Sequence, residues 1–178
     1  MHMAKTGHPF VANIPTEEVW TAPVKTSANG KVVATKPLQI DGNIVKDFWF
    51  ELKDGKIVNM HAEQNEDILR SKVDTDEGSH YFGEVAIVPQ DTPISRQNII
   101  YYRAIFDENA SCHIAFGSSY STNIKGGQNM TEDQLLAAGM NQSSTHNDFM
   151  FGSDDLKIVG TTWDGQEIVF FENGAFTF

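Results

Sequence analysis

Ile44-Val45-Lys46-Asp47-Phe48-Trp49-Phe50-Glu51-Leu52, then Lys53-Asp54-Gly55, then Lys56-Ile57-Val58-Asn59-Met60-His61-Ala62 is the stretch that decides the fold class. Two runs rich in Val, Ile and Phe flank an Asp-Gly pair, and Asp-Gly tolerates the positive φ angles that a tight hairpin turn demands. Ile44 to Leu52 and Lys56 to Ala62 therefore read as the two strands of a hairpin. The same punctuation recurs at Asp41-Gly42, Asp164-Gly165 and Asn173-Gly174. Lys31 to Thr35, Phe82 to Val88, His113 to Phe116, Asp148 to Phe151, Leu156 to Thr162 and Glu167 to Phe171 complete the candidate strands. Most of their pairings should be antiparallel, because the connections are short.

Helical signals are fewer. Thr131 to Gly139 is the clearest: Thr131 caps, Gln134 reaches back three residues on, and Gly139 offers a left-handed stop. Asn65 to Val73 places Ile68, Leu69 and Val73 on one helical face. Arg96 to Phe106 has Ile99, Ile100 and Ala104 at helical spacing but also β-branched and aromatic content, and the reading leans to helix. Asp91 to Pro93 is a turn. The expected fold is α+β: a β-rich, mostly antiparallel or mixed sheet, open or barrel-like, with two or three short helices.

The chain has 178 residues, 40% hydrophobic and 11% aromatic, enough for one domain with a real core. Met1 to Lys5 reads as a tag or disordered start, leaving 6–178 as that domain. Twenty-four acidic against thirteen basic residues give a formal net charge of -11. Such a charge disfavours nucleic acid and anionic membranes as partners, and it suits either plain solubility or a cation-holding pocket. The single cysteine, Cys112, excludes an internal disulfide and reads as a small buried apolar group. With no signal-peptide pattern and no membrane-length apolar run, the expected location is cytoplasmic. The Asn-x-Ser/Thr matches at Asn109, Asn129 and Asn141 are then chance.

Acidic residues and histidines that can bear chemistry fall into compact groups. Glu17-Glu18 lies on an extended segment, where adjacent side chains point to opposite sides, so only one of the two faces a given site. Glu84 opens the otherwise apolar run Val85-Ala86-Ile87-Val88, and a carboxylate there must either reach water or find a cation or donors. Asp107-Glu108 and His113 sit around a turn leading into an apolar strand. His146 and Asp148, two apart, project from one face of an extended backbone. Each signal alone is weak: Glu84 reads about equally as a solvated strand end, and a lone His-x-Asp is more often a surface accident than a site. Together, carboxylates and imidazoles without a thiolate cluster are the ligand mix of hydrolytic Zn²⁺, Co²⁺, Mn²⁺ or Mg²⁺ centres.

In order, Asn13-Ile14-Pro15-Thr16-Glu17-Glu18-Val19, Gly83-Glu84-Val85-Ala86, Asp107 through His113, Gly126-Gly127 and His146-Asn147-Asp148-Phe149-Met150 resemble the motif series of the M29 (thermophilic metalloprotease) aminopeptidases. The resemblance runs from about Gly7 to the C-terminus. It implies a cytosolic, two-metal aminopeptidase acting on peptide substrates, homodimeric at full length, with an N-terminal domain that this chain lacks. It also implies metal ligands at Glu18, Glu84, Glu108, His113, His146 and Asp148, with Glu84 bridging, and catalytic roles for Tyr120 and Glu17. If the local register differs by one, Glu17 and Glu18 exchange roles. Two other readings stand beside it: a two-metal phosphoesterase, and a metal-binding or assembly module without turnover.

Overall fold

The computed structural model describes residues 2–3, 7–10, 14 and 16–178. Its strands in chain order are β1 (His2–Met3), β2 (Pro9–Phe10), β3 (Val19–Thr21), β4 (Gly30–Val33), β5 (Leu38–Ile40), β6 (Asn43–Lys53), β7 (Lys56–Gln64), β8 (Phe82–Ile87), β9 (His113–Gly117), β10 (His146–Met150), β11 (Lys157–Thr161), β12 (Glu167–Glu172) and β13 (Ala175–Phe176). The α-helices are α1 (Glu66–Val73), α2 (Ala104–Asp107) and α3 (Glu132–Ala137), with short 3-10 turns between elements. Every pairing among the described residues is antiparallel, and none of the sheets closes into a barrel. Of the segment read as a tag, His2–Met3 pairs with Pro9–Phe10, and Met1, Ala4 and Lys5 lie outside the described residues.

The β6–β7 hairpin forms as its sequence dictates. Asp54 and Gly55 both take positive φ, 50° and 81°, the turn whose twist matches the strands it joins. Asp41-Gly42 and Asn173-Gly174 repeat that geometry. At Asp164-Gly165 only the glycine has positive φ, and Gly165 N–H donates to Thr162 O, so this hairpin is longer.

Two sheets sandwich the core. β6 stands between β4 and β7 and also pairs β5; the second sheet runs β10-β9-β8-β3. Phe48 and Phe50 from β6 meet Phe82, Phe116 and Phe149 from the second sheet in edge and tilted contacts with centroids 5.3 to 6.5 Å apart. Such pairs add to the free energy of burying the rings themselves, about 0.5–1.5 kcal/mol each. Leu69 and Val73 of α1 are fully buried in the same cluster. The helix α3 carries the capping box read from Thr131 and Gln134, and both reciprocal hydrogen bonds are present.

The stretch Arg96 to Phe106 corrects the helical expectation. Asn98 and Tyr102 adopt left-handed φ of 48° and 55°, which interrupts any helix, and only Ala104–Asp107 is α-helical. The carboxylate of Asp107 accepts the Tyr101 N–H at 2.7 Å and the Arg103 N–H at 2.8 Å. Those bonds give the backbone what a helix would have provided. β3 and β5 were absent from the sequence reading, being three-residue strands that exist by pairing with β8 and β6.

Candidate metal centre

One face of the β10-β9-β8-β3 sheet bears phenylalanines and the other bears acids and imidazoles, and the register explains how. Asp148 and Glu84 both pair with Ala115; His113 pairs with Met150 and Ala86; Trp20 pairs with Ala86. Paired residues share a face, and residues two apart on a strand do too, so Trp20, Glu84, His113, His146 and Asp148 line one surface. Ala86 and Ala115, small and fully buried, leave the space between them free. On the reverse face Phe116 and Phe149 enter the core.

A bulge sets the position of Glu84. Phe82 pairs with Phe116 while Glu84 pairs with the adjacent Ala115, so Gly83 is the extra residue. A Cβ at Gly83 would lie 2.3 Å from the Ser118 carbonyl oxygen, so only glycine fits there.

The polar atoms converge closely. His113 Nε2 is 3.0 Å from Glu18 Oε2 and 3.7 Å from Glu84 Oε1; His146 Nε2 is 3.5 Å from Glu84 Oε2 and 3.4 Å from Asp148 Oδ1. Glu18, Glu84 and His113 form one trio whose donor atoms lie within 4.8 Å of one another, and Glu84, His146 and Asp148 form a second. Glu84 belongs to both. The His113 and Glu18 side chains are 0% and 2% exposed, yet Glu18 Oε2 and His113 Nε2 make no hydrogen bond of acceptable geometry. Their closeness is that of groups aimed at a common point, not of a donor and its acceptor.

Both imidazoles are oriented from behind. His113 Nδ1 is 3.1 Å from the Ser111 carbonyl and His146 Nδ1 is 2.7 Å from the Ser118 carbonyl. A carbonyl only accepts, so each Nδ1 carries the hydrogen and each Nε2 turns toward the carboxylates. A neutral Nε2 lone pair facing carboxylates needs a positive charge between them, supplied by a proton or a cation. With protons alone, burial opposes ionisation of His113, but the adjoining Glu18 and Glu84 outweigh it and raise its pKa to about 10. Burial likewise opposes His146, and Asp148 prevails, raising it to about 9. Glu108 is raised to about 8, first by burial, then by the charges of Asp148 and Glu18. This donor set, with orphaned buried atoms pointing inward, fits divalent cations bound by nitrogen and oxygen.

Of the other residues singled out from sequence, Glu108 lies outside both trios but lines a small cavity together with Asp148. Tyr120 is half-exposed, and its ring centroid is 5.1 Å from that of His146. Burial and then the charges of Asp148 and Glu84 raise its phenol above the usual range. Glu17 lies in neither trio; its backbone N–H donates to Asn109 Oδ1 at 2.6 Å.

Sequence reasoning missed several supports. Trp20 packs edge-on against Tyr120, with centroids 5.6 Å apart. Asp76 accepts from Ser79, from the Ser143 hydroxyl and from both the N–H and hydroxyl of Ser144, tying down the approach to His146. The Ser144 bonds, foremost among these, hold its carboxyl well below the usual range. Asp76-x-x-Ser79 was a legible capping signal; nothing in the sequence tied it to Ser144, which is distant along the chain.

The family model for thermophilic metalloproteases (M29) matches residues 1–176. The chain belongs to the M29 family. Aminopeptidase AmpS of Bacillus subtilis (strain 168) is 52% identical over 174 residues, covering 98% of this chain, and Aminopeptidase 2 of Geobacillus stearothermophilus is 45% identical over 175 residues. The chain spans 42% of the length of each of these M29 relatives. Among solved structures, wild-type AmpT from Thermus thermophilus superposes with a TM-score of 0.90 at 37% identity, over 99% of this chain and 43% of that one. The α+β, antiparallel architecture is therefore that of an M29 protein. No helix among the described residues is long and apolar enough to cross a membrane.

Proposed function

We propose that this chain carries the dinuclear centre of a metal-dependent aminopeptidase that removes N-terminal residues from peptides. The observation that carries the reading is the sharing of Glu84 between two trios of possible ligands. Glu18 and His113 would hold one ion, His146 and Asp148 the other, with Glu84 available to both and Glu108 adding its carboxylate beside Asp148. Bound there, divalent ions such as Zn²⁺, Co²⁺, Mn²⁺ or Mg²⁺ would supply Lewis acidity toward a water and a carbonyl oxygen.

The protein's own groups do the rest. Tyr120, whose phenol is protonated at neutral pH, donates a hydrogen bond to the oxygen that gains charge as the peptide carbonyl is attacked. Glu17, next to Glu18 and outside both trios, relays a proton. The excess of carboxylates favours a substrate's α-ammonium and so anchors the end of the chain at the centre. In this reading the working enzyme is a cytoplasmic homodimer whose N-terminal domain completes the cleft.

Aminoacyl p-nitroanilides and p-nitrophenyl phosphate, each offered with added Co²⁺ or Zn²⁺ to a protein of the relatives' length, test the proposal. Metal-dependent amide hydrolysis is the expected result. Phosphatase activity alone would replace it with a phosphoesterase. Two bound ions without turnover would leave a binding module, and no bound ion would reject the site.

A further inference from the structure

A small cavity, about 40 Å³, adjoins the centre and shares Glu108 and Asp148 with it. Its other walls are mostly apolar: Leu38, Ile100, Tyr102 and Met150, with exposed Ala104 beside them. Two roomier depressions elsewhere include none of the centre's residues.

The wall that faces solvent is built with care. Tyr102 sits at a φ of 55°, a conformation that a bulky residue adopts only when its surroundings enforce it. The enforcing group is Asp107, itself buried, whose two carboxylate oxygens take the N–H groups on either side, Tyr101 at 2.7 Å and Arg103 at 2.8 Å. A backbone held in this way next to a reaction centre shapes a pocket.

We propose that this cavity receives the side chain of the substrate's first residue and selects small aliphatic ones. The inference rests on the aminopeptidase reading. With the α-amine and scissile carbonyl at the carboxylate-rich centre, the first side chain branches from the carbon between them, so it must enter a space bordering that centre. This cavity borders it through Glu108 and Asp148. At about 40 Å³ the cavity is small for a ligand pocket, which suits a short aliphatic side chain and shuts out an aromatic ring.

Two variants of the intact enzyme push selectivity in opposite directions. Ala104→Leu, at an exposed helical position, fills the cavity, and it should lower kcat/KM for leucine anilide relative to alanine anilide about tenfold. Ile100→Ala enlarges it and should raise phenylalanine anilide relative to leucine anilide by about the same factor. Ratios that stay fixed in both variants, or equal losses for every anilide, overturn the inference while leaving the activity in place. An unaltered enzyme that turns over no anilide would remove the parent reading, and this inference with it.

Discussion

Asn109 Oδ1 accepts the backbone N–H of Glu17 at 2.6 Å, so a fully buried amide holds the residue next to Glu18. Its Nδ2 donates to the Ile105 carbonyl at 3.1 Å, which anchors the amide itself. Groups that orient a ligand without touching the ion typically change metal affinity 10- to 100-fold when removed. Asn109→Ala should therefore weaken metal binding at the trio that contains Glu18 by about tenfold or more in a calorimetric titration, run where the variant is folded. An unchanged affinity would mean that β3 holds Glu18 unaided.

The two trios make separable predictions about stoichiometry. On the dinuclear proposal the parent should bind two ions, and since His113→Ala removes a ligand from one trio and His146→Ala from the other, each variant should bind one. Glu84→Gln touches both and should abolish most of the metal-dependent stabilisation, read as the rise in thermal midpoint, which linkage puts at about 2.7 kcal/mol per site for free ion at a hundred times Kd. A Glu84→Gln protein that keeps the full rise would show that these side chains do not share one centre.

How much of this was legible in the sequence follows the range over which each signal acts. Asp54-Gly55 specified its hairpin because a positive-φ pair is a local property, and Thr131 with Gln134 specified a helix start for the same reason. The segment around Tyr102 defeated a periodicity argument because the bonds that bend it there come from Asp107, further along the chain. Alternation showed that only one of Glu17 and Glu18 could face a site. Which one depends on the pairing of Val19 with Ile87 across two strands, information that no local pattern contains. The bulge at Gly83 was hidden for the same reason: its glycine is demanded by Ser118, not by its neighbours in sequence.

Tyr120 is buttressed on two sides, by Trp20 and by His146, with ring centroids 5.6 and 5.1 Å away. Tyr120→Phe keeps the ring and removes the hydroxyl. In the intact enzyme it should lower kcat about 10- to 1000-fold with metal content unchanged. Trp20→Ala should lower kcat by loosening Tyr120, and the double variant should be little worse than Tyr120→Phe alone, because both changes remove the same contribution. Losses that multiply would separate Trp20 from Tyr120.

The last prediction concerns protons, since protons and cations compete for the same atoms. Without metal, folding raises His113 to about 10 and His146 to about 9, from an unfolded value near 6.5, and Glu108 to about 8 from near 4.5. Each group binds its proton more tightly in the folded state. The histidine contributions are thus fully present below pH 6.5 and are lost as pH rises through 9 to 10; Glu108 adds a loss of the same sign between about 4.5 and 8. Metal-free protein should therefore lose stability steadily from pH 5 to pH 8.5. The metal-dependent gain should run the other way, small at pH 5 and large at pH 8, because the ion displaces fewer protons as pH rises. At pH 7 binding should release protons from His113, His146 and Glu108, read as a dependence of the binding heat on the ionisation enthalpy of the buffer. Thermal midpoints measured with EDTA and with Zn²⁺ across this range check both slopes. If the gain is independent of pH and no protons are released, the imidazoles are not the groups that meet the metal.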